Sequence, residues 1–216
     1  MAGRSDPASH WETVYRTRRA DQLSWYRPHL ETSLQLIERV LPDRGGRIID
    51  VGGGASTLVD DLLARGYRNI DVLDLSASAL ALDRQRLGVR AAEINWLCGD
   101  VTQYPLAAAS YALWHDRAVF HFLTRPEDRA AYARQATLAV RPGGYLIVAA
   151  FGPQGPTRCS GLDVVRYTPG ALRAEFGAAF DLVDHLTELH ETPAGAGQQF
   201  VYCLCVRVQQ PGVATP

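Results

Sequence analysis

The chain has 216 residues and a formal net charge of −1, and it is 47% hydrophobic and 21% charged. This composition excludes disorder, collagen and coiled coil, and a chain of this length buries about 70% of its unfolded surface. All 22 basic residues are Arg, which removes Schiff-base, pyridoxal phosphate and P-loop lysine chemistry together. Near-neutral charge argues against a nucleic acid or a membrane surface as a partner held by bulk electrostatics. Cys98, Cys159, Cys203 and Cys205 show no CxxC or zinc-ligand spacing, so no metal is expected and Cys98 reads as a small buried hydrophobe. The opening MAGRSDPASH lacks an apolar signal region, and no run of about 18 apolar residues follows. A cytoplasmic protein is expected.

The elements come in a regular order. A helix over about 7–20 and a second over 30–41, with Leu30, Leu34, Ile37 and Leu41 on one face, flank the aromatic loop QLSWYRPH. RIIDV at 47–51 reads as a strand, followed by a helix over about 55–65 that ends at Gly66. IDVLDL at 70–75 is a second strand, and Ser76 caps a helix running to about Gly88. Strands follow at 94–100 and 111–115, then a helix from about 126 to 140, stopped by Pro142-Gly143-Gly144. YLIVAAF at 145–151 is apolar enough to be buried on both faces. After a Gly/Pro loop, Thr168-Pro169 opens a short helix, and 180–190 and 198–208 read as two extended strands. The alternation implies an α/β, doubly wound, mainly parallel sheet with an antiparallel hairpin at its edge. The expected division is a helical lid over 1–45, a main domain over 46–208 and a flexible tail over 209–216.

The sharpest signal is IIDVGGGAST at 48–57, a glycine loop between a strand and a helix. Glycine there lets backbone N–H groups approach a ligand, and the helix N-terminus favours negative charge. Gly52 and Gly54 supply a GxG, but Thr57 occupies the third glycine of the dinucleotide pattern, and Asp50 stands where that pattern is apolar. Asp74 ends the second strand about 20 residues on, where a carboxylate accepts from ribose hydroxyls. Gly99-Asp100-Val101 after the third strand offers an acid for an adenine amine and an apolar face for its ring.

DVGGGAS at 50–56, Asp74, GDV at 99–101 and RPGGYLIV at 141–148 together resemble the class I S-adenosylmethionine-dependent methyltransferases. The likeness spans nearly the whole chain from Gly46 onward and implies a seven-stranded sheet whose last two strands form the edge hairpin. It implies that Asp50 and Gly52, Gly53 and Gly54 hold the methionine end, that Asp74 takes the ribose, and that Asp100 with Val101 takes the adenine. It also sets Trp25, Leu75 and His115 beside the cofactor.

On the acceptor side, WHDRAVFHFLTRPEDRAAY at 114–132 is similar to the thiopurine, thiol and halide methyltransferases. They carry an Asp-Arg after the fourth strand and a second Asp-Arg with a Tyr beyond, matched by Asp116-Arg117, Asp128-Arg129 and Tyr132. Trp11, Tyr15 and Trp25 resemble that group's aromatic lid. A small thiol or sulfide acceptor is therefore expected, with Trp11, Tyr15, Tyr26, Arg117 and Cys159 as its contacts. Arg117 would stabilise a thiolate, and His115 or His121 would take a proton, with Asp116 alongside. Asp116-Arg117 also reads as an ion pair at a helix start, and His121 as a core histidine on an apolar helix. Small lysine methyltransferases of citrate synthase and elongation factor type share Ser24-Trp25-Tyr26 and the Asp50–Gly54 loop, which keeps a protein lysine acceptor open. A nicotinamide-dependent oxidoreductase and a non-catalytic cofactor sensor are the readings outside this class. Nucleic-acid base methylation is not expected, because no NPPY-like motif follows the fourth strand.

Overall fold

The computed structural model describes residues 6–209, so all but the first residue of the expected tail lies outside the described residues. Helix α1 (Pro7–Thr17) is opened by Asp6, whose carboxylate accepts from the N–H groups of Ala8 and Ser9, with Pro7 at its first turn. Helix α2 (Glu31–Val40) turns Leu34 and Ile37 inward. The core then follows as β1 (Ile48–Val51), α3 (Leu58–Ala64), β2 (Ile70–Asp74), α4 (Ala77–Leu87), β3 (Asn95–Cys98) and β4 (Tyr111–Arg117). Helix α5 (Pro126–Ala139) leads into β5 (Val140–Phe151). A small ribbon of β6 (Arg158–Cys159) and β7 (Leu162–Asp163) precedes α6 (Pro169–Ala174), β8 (Phe180–Glu191) and β9 (Gly197–Arg207).

The seven-stranded sheet has the order β3-β2-β1-β4-β5-β9-β8. The first five strands run parallel, and the last two add an antiparallel hairpin. Strand order reverses between β1 and β4, the crevice where ligands bind in open α/β sheets. Period-two alternation sorts the core into two layers. Ile48, Val72 and Leu113 pack with Leu34, Ile37 and Leu62 on the side of α2 and α3. Ile49, Val51, Leu73 and Trp114 pack with Tyr132, Ala136 and Leu172 on the side of α5 and α6.

Three local readings change. β4 runs two residues past His115, so Asp116 and Arg117 belong to a strand rather than to a helix start, and they point to opposite faces. Trp114 Nε1–H donates to the Tyr132 hydroxyl at 2.8 Å, and that hydroxyl donates to Asp116 at 2.5 Å. Asp116 also accepts from the N–H groups of Val119 and Phe120, which pins the turn where Ala118 sits at φ 75°. His121 lies on a single 3-10 turn, Phe120–Phe122, not on a longer helix. Cys98 is exposed, because β3 is the edge of the sheet and its last side chain has no neighbouring strand to cover it.

Tyr132→Phe keeps the ring but leaves the buried Asp116 carboxylate without its phenol donor and Trp114 N–H without an acceptor. A loss of about 1–3 kcal/mol is expected, read by denaturant unfolding as a lower midpoint at unchanged slope.

Candidate active site

The C-terminal ends of β1, β2, β3 and β4 converge on a cleft of about 760 Å³, roofed by α1 and the loop after it. Val51 and Gly52 come from the glycine loop, Asp74 and Leu75 from the end of β2, Asp100 and Val101 from the turn after β3, and Arg117 from β4. The roof supplies His10, Trp11, Tyr15 and Trp25, and the far wall Phe122, Asp128 and Asp163. A smaller cavity of about 30 Å³ adjoins it, lined by Tyr26, Asp50, Gly53, Gly54 and His115, and it shares Trp25, Gly52 and Arg117 with the cleft.

The glycines are required by this geometry. Gly52 has φ +66°, and a Cβ there would sit 2.0 Å from Val119; on Gly54 it would sit 2.5 Å from Ala79 and 2.8 Å from Asp74. Gly54 N–H donates to Asp74 at 3.0 Å and Ser76 N–H at 2.8 Å. Burial nevertheless pushes the Asp74 carboxyl up to about 6. Asp50 is buried, accepts from His115 at 2.7 Å on one oxygen and has no hydrogen-bond partner on the other. Asp100 accepts from the N–H and hydroxyl of Thr102 at 2.8 and 2.7 Å.

The sequence-derived acceptor residues divide. Trp11, Tyr15, Trp25 and Arg117 line the cleft, and Tyr26 lies against the small cavity instead. Asp116, His121 and Cys159 line neither. Asp116 is fully buried under α5. His121 accepts from Phe151 N–H at 3.2 Å among phenyl rings, and burial lowers it to about 3, with the Arg117 charge adding to the effect. Cys159 packs into the core, where burial raises its thiol, with Sγ 3.7 Å from the Ser24 hydroxyl. Arg117 itself is enclosed. It donates to the Tyr202 hydroxyl at 2.9 Å and to the Trp25 carbonyl at 3.1 Å, lies 3.5 Å from Glu188, and covers the Phe200 ring at 4.3 Å.

Several site residues have no local sequence signature. Ser33, Glu188 and Tyr202 reach the site only through sheet pairing and helix packing. Glu12 of α1 accepts from the Ser76 hydroxyl at 2.7 Å, from Ser78 N–H at 3.2 Å and from the Ser78 hydroxyl. It sits at the N-terminus of α4, where the helix dipole favours an anion, and these donors hold its carboxyl below the usual range. Trp11 packs edge-on against Trp25 and Phe122 at 5.7 and 4.9 Å, which closes the roof. Glu12→Gln should loosen this latch, seen as faster amide exchange across 7–17 with the β-strand amides unchanged.

Among the described residues, no group of three or more His, Cys, Asp or Glu side chains is placed to hold a metal, and no helix is long and apolar enough to cross a membrane. Residues 48–144 match a family model described as a methyltransferase domain. The mouse eEF1A lysine and N-terminal methyltransferase is 23% identical over 141 residues, which is 65% of this chain and 20% of that protein. The chain thus spans about a fifth of the length of the curated relatives it matches. The structure of Burkholderia thailandensis 1,6-didemethyltoxoflavin-N1-methyltransferase, with bound 1,6-didemethyltoxoflavin and S-adenosylhomocysteine, superposes with a TM-score of 0.70 at 19% identity. That match covers 97% of this chain and 93% of the other. The N-methyltransferase NodS from Bradyrhizobium japonicum, in complex with S-adenosylhomocysteine, gives a TM-score of 0.70 at 15% identity, covering 94% and 100%. At these identities the structural likeness speaks for the fold, and the family match speaks for the segment it covers. Residues 48–144 are therefore similar to a methyltransferase domain, and the chain shares the fold of the S-adenosylmethionine-dependent methyltransferases.

Proposed function

We propose that the protein transfers the methyl group of S-adenosylmethionine to an amine nitrogen held in the cleft beneath α1. The residues present fit the cofactor. Glycine leaves clear the ground that a Cβ would fill, and Asp50 carries a buried carboxylate oxygen with no partner. Asp50 would meet the ammonium of the methionine end, Asp74 the ribose hydroxyls, and Asp100 with Val101 the adenine. The bound cofactor supplies an electrophilic methyl group on a sulfonium sulfur.

The acceptor reading is carried by the wall of the cleft. Trp11, Trp25 and Phe122 present rings, while Asp6, Asp128 and Asp163 line the same space. Ring faces and carboxylates together attract a cationic amine. Its proton must leave before the nitrogen attacks. His10 lines the roof with its Nε2 buried and unpartnered, so it is the group free to accept that proton. The roof excludes water and fixes the approach, which is most of what an in-line displacement asks of a protein. The curated relatives, described as lysine and N-terminal methyltransferases, agree with an amine.

One observation favours a second reading, a thiol, sulfide or similar soft nucleophile: the Arg117 guanidinium lines both cavities and would steady a thiolate. Glu188 and the Trp25 carbonyl already engage that charge, which is why the amine stands first. An assay of labelled methyl transfer across amines, lysine and N-terminal peptides, lysate protein, small thiols, sulfide and halides separates the two. The chain contains no lysine, so a label recovered on lysine belongs to a substrate. Arg117→Ala adds a second discriminator. For an amine acceptor, turnover falls with the pH–rate profile unmoved, because the residue holds the roof loop. For a thiol acceptor, the profile moves upward as the thiol loses its cation.

Asp74 makes cofactor affinity pH-dependent. Its carboxyl titrates at about 6 in the free protein, and ribose hydroxyls need the ionised form. S-adenosylhomocysteine binding should therefore hold from pH 8 down to about 6.5 and weaken below, by up to about tenfold per unit. Asp74→Asn should weaken binding by about 2–4 kcal/mol at pH 7.5 and flatten that slope. Calorimetry measures both, and a flat wild-type profile would count against this role for Asp74.

A further inference from the structure

A buried polar relay joins Asp50 on β1 through His115 on β4 to Ser33 on α2, and nothing in the acceptor chemistry accounts for it. Asp50 Oδ1 lies 2.7 Å from His115 Nδ1, and His115 Nε2 lies 2.9 Å from the Ser33 hydroxyl. The Tyr202 oxygen accepts from Arg117 Nε–H at 2.9 Å, and Arg117 also donates to the Trp25 carbonyl at 3.1 Å. Ser33, Asp50, His115 and Tyr202 are each 2% exposed or less.

When the Ser33 O–H donates to His115 Nε2, the His115 Nδ1–H is left to donate to Asp50, so the two bonds run in one direction. With a hydrogen bond donated to it at Nε2, the imidazole keeps its own hydrogen on Nδ1. Without that donor, the ring is free to turn an Nδ1 lone pair on the carboxylate, and Oδ1 loses the contact that orients it. The free oxygen, Oδ2, is buried without a partner and faces the ground that a Cβ on Gly53 would fill.

We propose that Ser33 is a positioning residue for the cofactor. It sets the His115 tautomer, whose Nδ1–H orients the Asp50 carboxylate with Oδ2 presented to the ammonium of the cofactor's amino acid end. The proposal rests on the cofactor reading above and adds that α2, remote in sequence from the glycine loop, tunes recognition of one end of the ligand only.

Two ligands test it: S-adenosylhomocysteine, and 5′-methylthioadenosine, which keeps the nucleoside and sulfur but lacks the amino acid chain. Ser33→Ala should weaken S-adenosylhomocysteine by about tenfold and leave 5′-methylthioadenosine within about twofold of wild type. Asp50→Asn should show the same selectivity, and the double variant should bind no more weakly than Asp50→Asn alone. Nitrogen NMR of the His115 ring should report the Nδ1–H tautomer in wild type and its loss in Ser33→Ala. Equal weakening of both ligands, or additive losses in the double variant, would overturn the proposal by showing that Ser33 acts through packing. Should Ser33→Ala not fold, Ser33→Cys keeps the volume but weakens the donor to His115 and is read by the same ligand ratio. If wild type binds neither ligand, the cofactor reading itself falls, and the Ser33 proposal with it.

Discussion

Side chains alternate across a strand, and β4 lies at the switch point with both faces covered. Trp114 and Asp116 therefore enter the layer under α5 and α6, while His115 and Arg117 enter the layer under α2. The first pair is spent on structure, since the Asp116 carboxylate takes two backbone N–H groups and a phenol and so fixes the turn along the cleft. The second pair serves the ligand side, with His115 on Asp50 and Arg117 on the roof loop. Two neighbours in sequence thus have unrelated duties.

That constraint also marks where reading the sequence succeeded. The glycine loop, Asp74 and Asp100-Val101 sit at the ends of successive parallel strands, and the strands themselves are legible from short apolar runs bounded by glycine and by capping residues. Given the sheet order, their convergence follows. The acceptor side depends on facts that no local pattern carries. A strand two residues longer than its apolar run separates Asp116 from Arg117. Hydrogen bonds to Tyr202 and Trp25, and an ion pair with Glu188, occupy the Arg117 guanidinium, and all three residues are distant in sequence. Cys159 lies in a polar-looking loop that folds its thiol inward. The reading of His121 as a core histidine between two Phe holds, although a single 3-10 turn at Phe120–Phe122 rather than a longer helix buries it among rings.

The roof is joined to the body by polar ties as well as by packing. Val14, Tyr15 and Leu23 pack with Ala55 and Ala79, so the N-terminal segment has a small apolar core of its own against the glycine loop and α4. Glu12 on Ser76 and Ser78 fixes one end, and Arg117 and His190 hold the carbonyls of Trp25 and Ser24 at the other, the latter at 2.7 Å. Ser76 follows Asp74 by two residues and its N–H donates to it, so the roof latch and the Asp74 carboxylate share one turn of backbone. The strand-end wall of the cleft and its roof are mechanically adjacent.

The ribbon of β6 and β7 forms a two-stranded sheet of its own, outside the seven-stranded sheet, yet it supplies Asp163 to the cleft wall. Its tip includes Ser160 and Gly161, both with positive φ, and Arg158 pairs across it with Asp163 at 3.1 Å on exposed side chains. Apart from Cys159, which packs into the core, the ribbon carries little of it and tolerates insertion, deletion and exchange of residues at small cost to stability. The strand-end half of the cleft has no such freedom, because its glycines and carboxylates are locked against neighbouring backbone. Under the proposed function, remodelling this one surface hairpin would change which acceptors fit the cleft while leaving the strand-end wall as it is.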